Sequence, residues 1–329
     1  MPAFRGPDIA GVGEFGLIAA MTAALRRGTG VLLGPGDDAA IVATGDGRVV
    51  VSVDTLVQDG HFRLDLTTAG DLGHKAAAVS LADIAAMGAV PTGALLALCL
   101  PAETAVDWVL ELVQGIDAEC ATAGACVVGG DVVRGDRVVL TVTVLGDLQG
   151  RDPVTRSGAR PGDRVAVAGA LGRSAAGLAV QEGGARADWP DLLAAHHRPR
   201  PPYAAGPEAA GLGATSLIDV SDGLLADLGH VATASGVAID LRSAAFVPDA
   251  RLAQAARAFD VEALGWMLTG GEDHALVATF PAAVALPATW QVIGTVGAGE
   301  ATVTVDGRAW SGSVGWDHFA GPDLTDRQP

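Results

Sequence analysis

Six short acidic motifs recur along the chain: GPGDDAA (34–40), VSVDT (51–55), SLAD (80–83), GGD (129–131), DVSDG (219–223) and GGED (270–273). Asp and Glu are ordinarily solvated surface residues. Here they stand beside Gly, Ser and Ala, at the ends of apolar runs such as VVVSVD and ACVVGGD. That placement predicts strand ends handing over to loops, and the crevice beyond strand ends is the usual ligand site of open sheets. Carboxylates gathered there repel one another by roughly 1 kcal/mol at 4 Å in water and about 4 kcal/mol in a protein-like medium, so the set calls for bound cations. A donor set made only of oxygen selects Mg²⁺, Mn²⁺ or Ca²⁺ over zinc or copper. Taken singly, each Asp reads equally well as a turn former or helix cap; their recurrence favours metal. Asp83 falls inside an apolar helix, where a charge is costly unless paired, and ligation is favoured there over a salt bridge to Lys75.

Metal-held carboxylates suit phosphoryl transfer, in which the protein contributes positioning and charge neutralisation. A helix starting at Ser221 or Asp222 would offer backbone N–H groups to a phosphate, and the glycines of GGD and GGED permit close backbone approach. Other chemistries lack their residues. No GxxxxGK[ST] loop, GxSxG elbow, HExxH pair or EF-hand calcium loop occurs in the chain. Cys99, Cys120 and Cys126 are odd in number and lack paired metal-site spacing, so buried free thiols are expected. His196 and His197, in HHRPRPP, read as loop packing.

These side chains need elements to position them. The periodicity predicts a helix over about 14–27, a strand ending at VSVD, an Ala-rich helix over about 70–88, strands near 94–100 and 137–146, and a helix over about 104–123 between those two. The Gly, Pro and charge-rich segment 147–163 predicts a domain boundary, with an N-terminal domain over 1–148 and a C-terminal one over 149–329. Beyond it the reading gives a strand at 164–168, helices at about 172–183 and 203–212, a strand at 215–219 running into the next helix, a strand near 237–241, helices within 249–268, a strand at 275–280 and two terminal strands. The fold class is therefore α/β, or α+β, in two domains. At 329 residues with half of them hydrophobic, the chain has ample material for two cores. A net charge of −17 speaks against direct binding to nucleic acid or an anionic membrane surface. The start of the chain has no apolar segment behind basic residues, and residues 76–100 are interrupted by Asp83 and Pro91, so a cytoplasmic protein is expected.

In order and spacing, GEFG (13–16), GDDAA, SVDTLVQDGHF, KAAAVSLADIAAMGA, GGD, RSGARPGD, DVSDGL and GGED resemble the thiamine-monophosphate kinases, from about residue 13 to Phe319. GDD and GGD are shared with the wider aminoimidazole ribonucleotide synthetase-like ATP-binding superfamily, whereas DGHF and GGED are more particular to the kinases. The resemblance implies transfer of the γ-phosphoryl group of ATP to thiamine monophosphate, giving thiamine diphosphate and ADP. It implies that Asp38, Asp54, Asp83, Asp131, Asp219 and Asp222 hold several Mg²⁺ ions on the ATP phosphates, with Ser52 and the backbone at Val53 completing the shells. Of these, Asp54, Asp131 and Asp222 are the carboxylates expected to matter most for transfer. It further puts Gly130, Asp131, Arg156 and Ser221 on ATP, and His61, Glu272 and Trp316 around thiamine monophosphate. It also implies a homodimer in which the N-terminal sheet pairs with that of a second copy. Two departures are visible: Val53 stands where the family often has Thr, and His274 where Tyr is usual. The related selenophosphate synthetases would carry a reactive residue near the N-terminus, but the first cysteine is Cys99. The hydrogenase-maturation dehydratases would end in cysteine, whereas this chain ends TDRQP. Aminoimidazole ribonucleotide synthetase itself fits DGHF and GGED poorly. A non-catalytic metal or nucleotide sensor is disfavoured by the full set of Asp residues.

Overall fold

The computed structural model describes residues 8–26, 30–33, 41–184 and 188–316. The chain divides into two compact units, Met1–Ala85 with Ala89–Arg151, and Ala86–Gly88 with Asp152–Pro329. GPGDDAA, with Asp37 and Asp38, lies outside the described residues.

The first unit runs α1 (Ile9–Ala24), β1 (Val31–Leu33), β2 (Ile41–Val42), β3 (Val50–Val57), α2 (Ala69–Ala86), β4 (Val90–Leu100), α3 (Val106–Thr122), β5 (Val127–Arg134) and β6 (Val139–Asp147). Helix α1 starts at Ile9 rather than near 14, because the Asp8 side chain accepts from Gly11 N–H at 2.8 Å and caps it. Strands pair in the order β3-β6-β4-β5; β4 and β5 run parallel, joined by α3 as the crossover. Alternation along each strand sorts the sheet into two faces. Leu56, Leu96, Leu98, Leu140, Val142 and Val144 are buried on the inner face, under α2, whose Ser80 hydroxyl donates to Val142 O at 3.1 Å. Helices α2 and α3 approach backbone to backbone: a Cβ on Gly73 would stand 2.1 Å from Leu112 O, and one on Gly115 2.3 Å from Gly70 O. Only glycine allows that contact, and it explains the small-residue character of α2.

The second unit runs β7 (Arg164–Ala168), α4 (Arg173–Glu182), α5 (Pro190–His197), α6 (Ala205–Leu212), β8 (Ser216–Asp219), α7 (Leu224–Ser235), β9 (Ala238–Leu241), α8 (Ala250–Ala258), α9 (Ala263–Thr269), β10 (Leu276–Phe280), β11 (Gln291–Gly297), β12 (Thr302–Val305) and β13 (Arg308–Ala309). Its sheet has the order β13-β12-β9-β11-β7-β10-β8, antiparallel except where β12 runs parallel to β9. Val165, Val167, Ile218, Leu228, Val231, Ile239, Leu252 and Ile293 form its core.

Three expectations are corrected. Asp54 and Asp131 lie within β3 and β5, not at strand ends; period-two alternation accommodates polar side chains inside a strand as readily as at its end. Helix α7 begins at Leu224 with Gly223 as its cap, so the DVSDG turn is longer than the sequence pattern indicates. His196 and His197 close helix α5, which Pro190 starts at its favoured first-turn position.

Candidate active site

In the first unit, β3 and α2 bring three of the expected ligands together. Ser52, Asp54 and Leu56 alternate with the exposed Val51, Val53 and Thr55, so Ser52 and Asp54 share the inner face facing α2. The Ser52 hydroxyl donates to Asp83 Oδ2 at 2.5 Å. Asp54 Oδ2 is buried and has no hydrogen-bond partner among the described residues. A buried carboxylate oxygen left unsatisfied is costly, and an all-oxygen set of this kind suits a hard cation such as Mg²⁺. Among the described residues, however, no three His, Cys, Asp or Glu side chains already stand close enough to enclose a metal. His61 lies just beyond β3, and its Nδ1 accepts from Val57 N–H at 3.1 Å.

Asp131 does not join this group. The register aligns Asp131 with Ala97, Ala97 with Thr141, and Thr141 with Thr55, so Asp131 shares the outer face with Val53 and not the inner face with Asp54. Gly130 is the β5 residue in the row of Asp54, through Leu96 and Val142. Three strand spacings of about 4.8 Å separate the two edges by roughly 14 Å, whereas two ligands of one Mg²⁺ at about 2.1 Å stand no more than about 4 Å apart. Within one chain, Asp54 and Asp131 cannot share an ion.

In the second unit, three stretches far apart in sequence are fastened at one turn. Asp219 ends β8, and beyond it the chain continues antiparallel to the segment before β10. Val220 N–H donates to Ala275 O (2.8 Å), His274 N–H to Val220 O (3.0 Å) and Glu272 N–H to Ser221 O (2.8 Å). Trp316 N–H then donates to Asp222 O at 2.9 Å. Asp219, Ser221, Asp222, Glu272 and Trp316 are therefore held within one region by backbone bonds. Close approach is obligatory there, since a Cβ on Gly271 would stand 2.4 Å from Ser221 O and 3.2 Å from the Asp222 carbonyl carbon. Glu272 and His274 both adopt left-handed backbone, at φ 63° and 51°, uncommon for such residues and found where surroundings enforce it. Arg156 is exposed in the segment before β7, its carbonyl accepting from the Ser235 hydroxyl at 3.1 Å.

Four buried side chains that the sequence pattern did not single out as site residues brace this turn. Asp227, in the first turn of α7, accepts from the N–H groups of Asp222 and Gly223, each at 3.1 Å. Two of the N–H groups in the stretch expected to face phosphate are thereby taken. Burial, then the neighbouring Asp219 and Asp222, push the Asp227 carboxyl up to about 7, against the pull of those two N–H groups. Asp273 caps α4, accepting from Gly172 N–H at 2.5 Å and Ser174 N–H at 2.8 Å; burial pushes its carboxyl to about 7 despite these bonds. His274 Nδ1 meets Asp219 Oδ2 at 3.0 Å. His196 Nδ1 lies 3.0 Å from the Ser174 hydroxyl and 3.4 Å from Glu272 Oε2. The spacing of Asp227 in DVSDGLLAD was the available signal, as a carboxylate one turn inside a helix able to reach back to its start. The histidine contacts are purely tertiary. Cys99, Cys120 and Cys126 form no disulfide among the described residues, the latter two being buried.

Two units with these sheets and this arrangement of acidic turns define an AIR synthase related protein. The family model of the AIR synthase related N-terminal domain matches residues 36–148, and that of the C-terminal domain residues 160–306. A thiamine-monophosphate kinase of Mycobacterium tuberculosis is 50% identical over 322 residues, 98% of this chain and 96% of that protein. The crystal structure of thiamine-monophosphate kinase from Stenotrophomonas maltophilia superposes with a TM-score of 0.78 at 35% identity, covering 89% of this chain and 95% of that one. A further solved structure, AaThiL complexed with AMPPCP and TMP, has a TM-score of 0.75 at 28% identity, covering 96% and 100%. The chain belongs to the thiamine-monophosphate kinase family.

Proposed function

We propose that the protein phosphorylates thiamine monophosphate with ATP, giving thiamine diphosphate and ADP, the last step in making that coenzyme. The observation that carries this reading is the meeting of residues 219–222, 272–274 and 316 at one backbone-bonded turn. It puts residues suited to metal and nucleotide beside those suited to the second substrate. The names of the near-full-length relatives, and the AMPPCP and TMP bound in a solved neighbour, support the same pair of substrates.

An oxygen of the thiamine monophosphate phosphate forms the new bond to the γ-phosphorus, while the bond from that phosphorus to the β,γ-bridging oxygen breaks and its electrons leave with ADP. The attacking oxygen is ionised near neutral pH, the second phosphate pKa being about 6, so no side chain need remove a proton. The task is to bring two anions together in line. In the first unit Mg²⁺ would be held by Ser52, Asp54 and Asp83, with the Val53 carbonyl and Asp38, and in the second unit by Asp219 and Asp222. Bound Mg²⁺ supplies neutralisation of the phosphate charge. Ser221 and Arg156 orient the ATP phosphates, Arg156 by the planar fork that matches phosphate oxygens. His61, Glu272 and Trp316 position thiamine monophosphate, the Glu272 carboxylate being suited to its cationic ring system. Gly130 allows the nucleotide close to β5.

The working form is a cytoplasmic homodimer. Val51 (55% exposed), Val53 (57%), Leu95 (37%) and Val133 (50%) share the outer face of the first sheet, an apolar surface that a second copy would cover. Asp131 belongs to that face and so presents its carboxylate to the interface side, to an ion separate from that on Asp54. No described helix is long and apolar enough to cross a membrane.

Incubation with ATP, Mg²⁺ and thiamine monophosphate, with thiamine as parallel acceptor, followed by chromatography, tests the reaction. Thiamine diphosphate formed from the monophosphate alone, and only with Mg²⁺, is the expected result. ATP binding without that product would overturn it. Asp131→Asn is expected to lose nearly all transfer while remaining folded; wild-type turnover would remove Asp131 from the site.

A further inference from the structure

The structure assigns His274 a positioning role: its imidazole fixes the carboxylate of Asp219 for the metal ion that this residue would hold. This inference rests on the kinase reading above, in which Asp219 is a ligand. Both side chains are almost wholly enclosed, His274 at 2% exposure and Asp219 at 3%. A carboxylate so deeply enclosed needs hydrogen-bonding partners, and His274 Nδ1 stands 3.0 Å from Asp219 Oδ2. As the metal-binding carboxylate of this proposal Asp219 accepts, and the His274 Nδ1–H donates. One carboxylate oxygen is thereby engaged, which sets the plane in which the other meets a cation. Partners of this kind orient metal-binding carboxylates and tune their affinity.

The backbone is arranged to deliver that imidazole. His274 adopts φ 51°, a conformation that costs a residue with a Cβ and persists only where the fold enforces it. Its N–H donates to Val220 O, directly after Asp219, and the next strand holds Asp219 in register with Leu276. The residue after GGED is thus locked over the end of β8 by three neighbouring constraints. A neighbouring carboxyl, Asp273, is turned away to cap α4. The GGED segment and the residue after it consequently do two things two residues apart: Glu272 is the proposed contact to the second substrate and His274 holds a metal-binding carboxylate.

The test compares His274→Gly, which removes the imidazole while tolerating the left-handed backbone, with His274→Asn, whose Nδ2 is as many bonds from Cα as Nδ1 of histidine. Asp219→Asn is measured beside them. Two quantities are read on the full-length protein: the Mg²⁺ concentration giving half-maximal phosphorylation, and the rise in melting temperature that Mg²⁺ with AMPPCP produces in each variant above its own metal-free value. His274→Gly is expected to need about 10- to 100-fold more Mg²⁺ and to show a smaller Mg²⁺-dependent rise, with His274→Asn restoring most of both. If His274 merely fills space, Gly and Asn variants lower the metal-free melting temperature alike and leave the Mg²⁺ requirement unchanged, which overturns the assignment. If Asp219→Asn also leaves the Mg²⁺ requirement unchanged, the metal-ligand reading of Asp219 fails, and with it the role of His274.

Discussion

Replacing Asp273 with Asn isolates the energetic cost of burying a carboxyl in the GGED loop. Burial pushes Asp273 up to about 7, against the N–H groups of Ser174 and Gly172 that pull it down, while an unfolded Asp titrates near 3.9. Because the folded-state value is the higher one, folding favours the protonated form. The contribution is complete below about pH 4 and is lost as pH rises through about 7. The gap of about three pH units at roughly 1.4 kcal/mol each gives about 4 kcal/mol in full. Of this, more than half falls between pH 5 and pH 8, on the order of 3 kcal/mol, with a limiting slope near −1.4 kcal/mol per pH unit. Asn has nothing to titrate. Urea unfolding of wild type and Asp273→Asn, without Mg²⁺ or nucleotide, at several pH values across that range, should show the wild-type advantage shrinking by about that amount. Any fixed cost of placing an amide NH₂ against Gly172 N–H cancels in the comparison across pH. Parallel curves would refute the reasoning, and a wild-type advantage growing with pH would mean that the two N–H donors of α4 outweigh burial.

Asp54→Asn should abolish the rise in melting temperature that Mg²⁺ with AMPPCP gives wild type, because it takes the charge from the side chain whose buried Oδ2 has no described partner; differential scanning calorimetry reads it. Val53→Glu places a charge in the middle of the exposed apolar face and should convert dimer to monomer in sedimentation velocity without altering the far-UV circular dichroism spectrum. Gly271→Ala should cost several-fold in MgATP affinity by titration calorimetry, since its Cβ would drive Ser221 O from a position 2.4 Å away.

The sequence made most elements of this fold legible, for identifiable reasons. Helix α2 is an Ala-rich run without proline, and its observed span differs from the expected one by one residue at its start and two at its end. Strands β7 and β8 are short apolar runs between turn residues. What stayed hidden was the sense in which side chains leave a strand. VSVDT and GGD look alike as acidic ends of apolar runs, but two strands inserted between β3 and β5 place Asp54 and Asp131 in rows of opposite facing. Strand order is a long-range property, and no local pattern encodes it. The same limit hid His196, which is adjacent to a proline-rich stretch in sequence and to Glu272 in space.

The pairing of DVSDG with GGED explains why both motifs need their particular residues. A phosphoryl-transfer site must hold several negative groups close together, and the native state tolerates this only if each carboxylate is separately accounted for. Here Asp273 is bound to the start of α4, Asp227 to the N–H groups of Asp222 and Gly223, and Asp219 to His274. Each bond consumes a donor that could otherwise have met a phosphate. The N–H groups of Asp222 and Gly223 are therefore not available to a phosphate in the manner of a glycine-rich phosphate loop. In a chain with a net charge of −17, cations brought by the metal-binding carboxylates would add to Arg156 in neutralising the phosphates. On the proposed reading, a nucleotide offered to these acidic turns without divalent metal should meet repulsion.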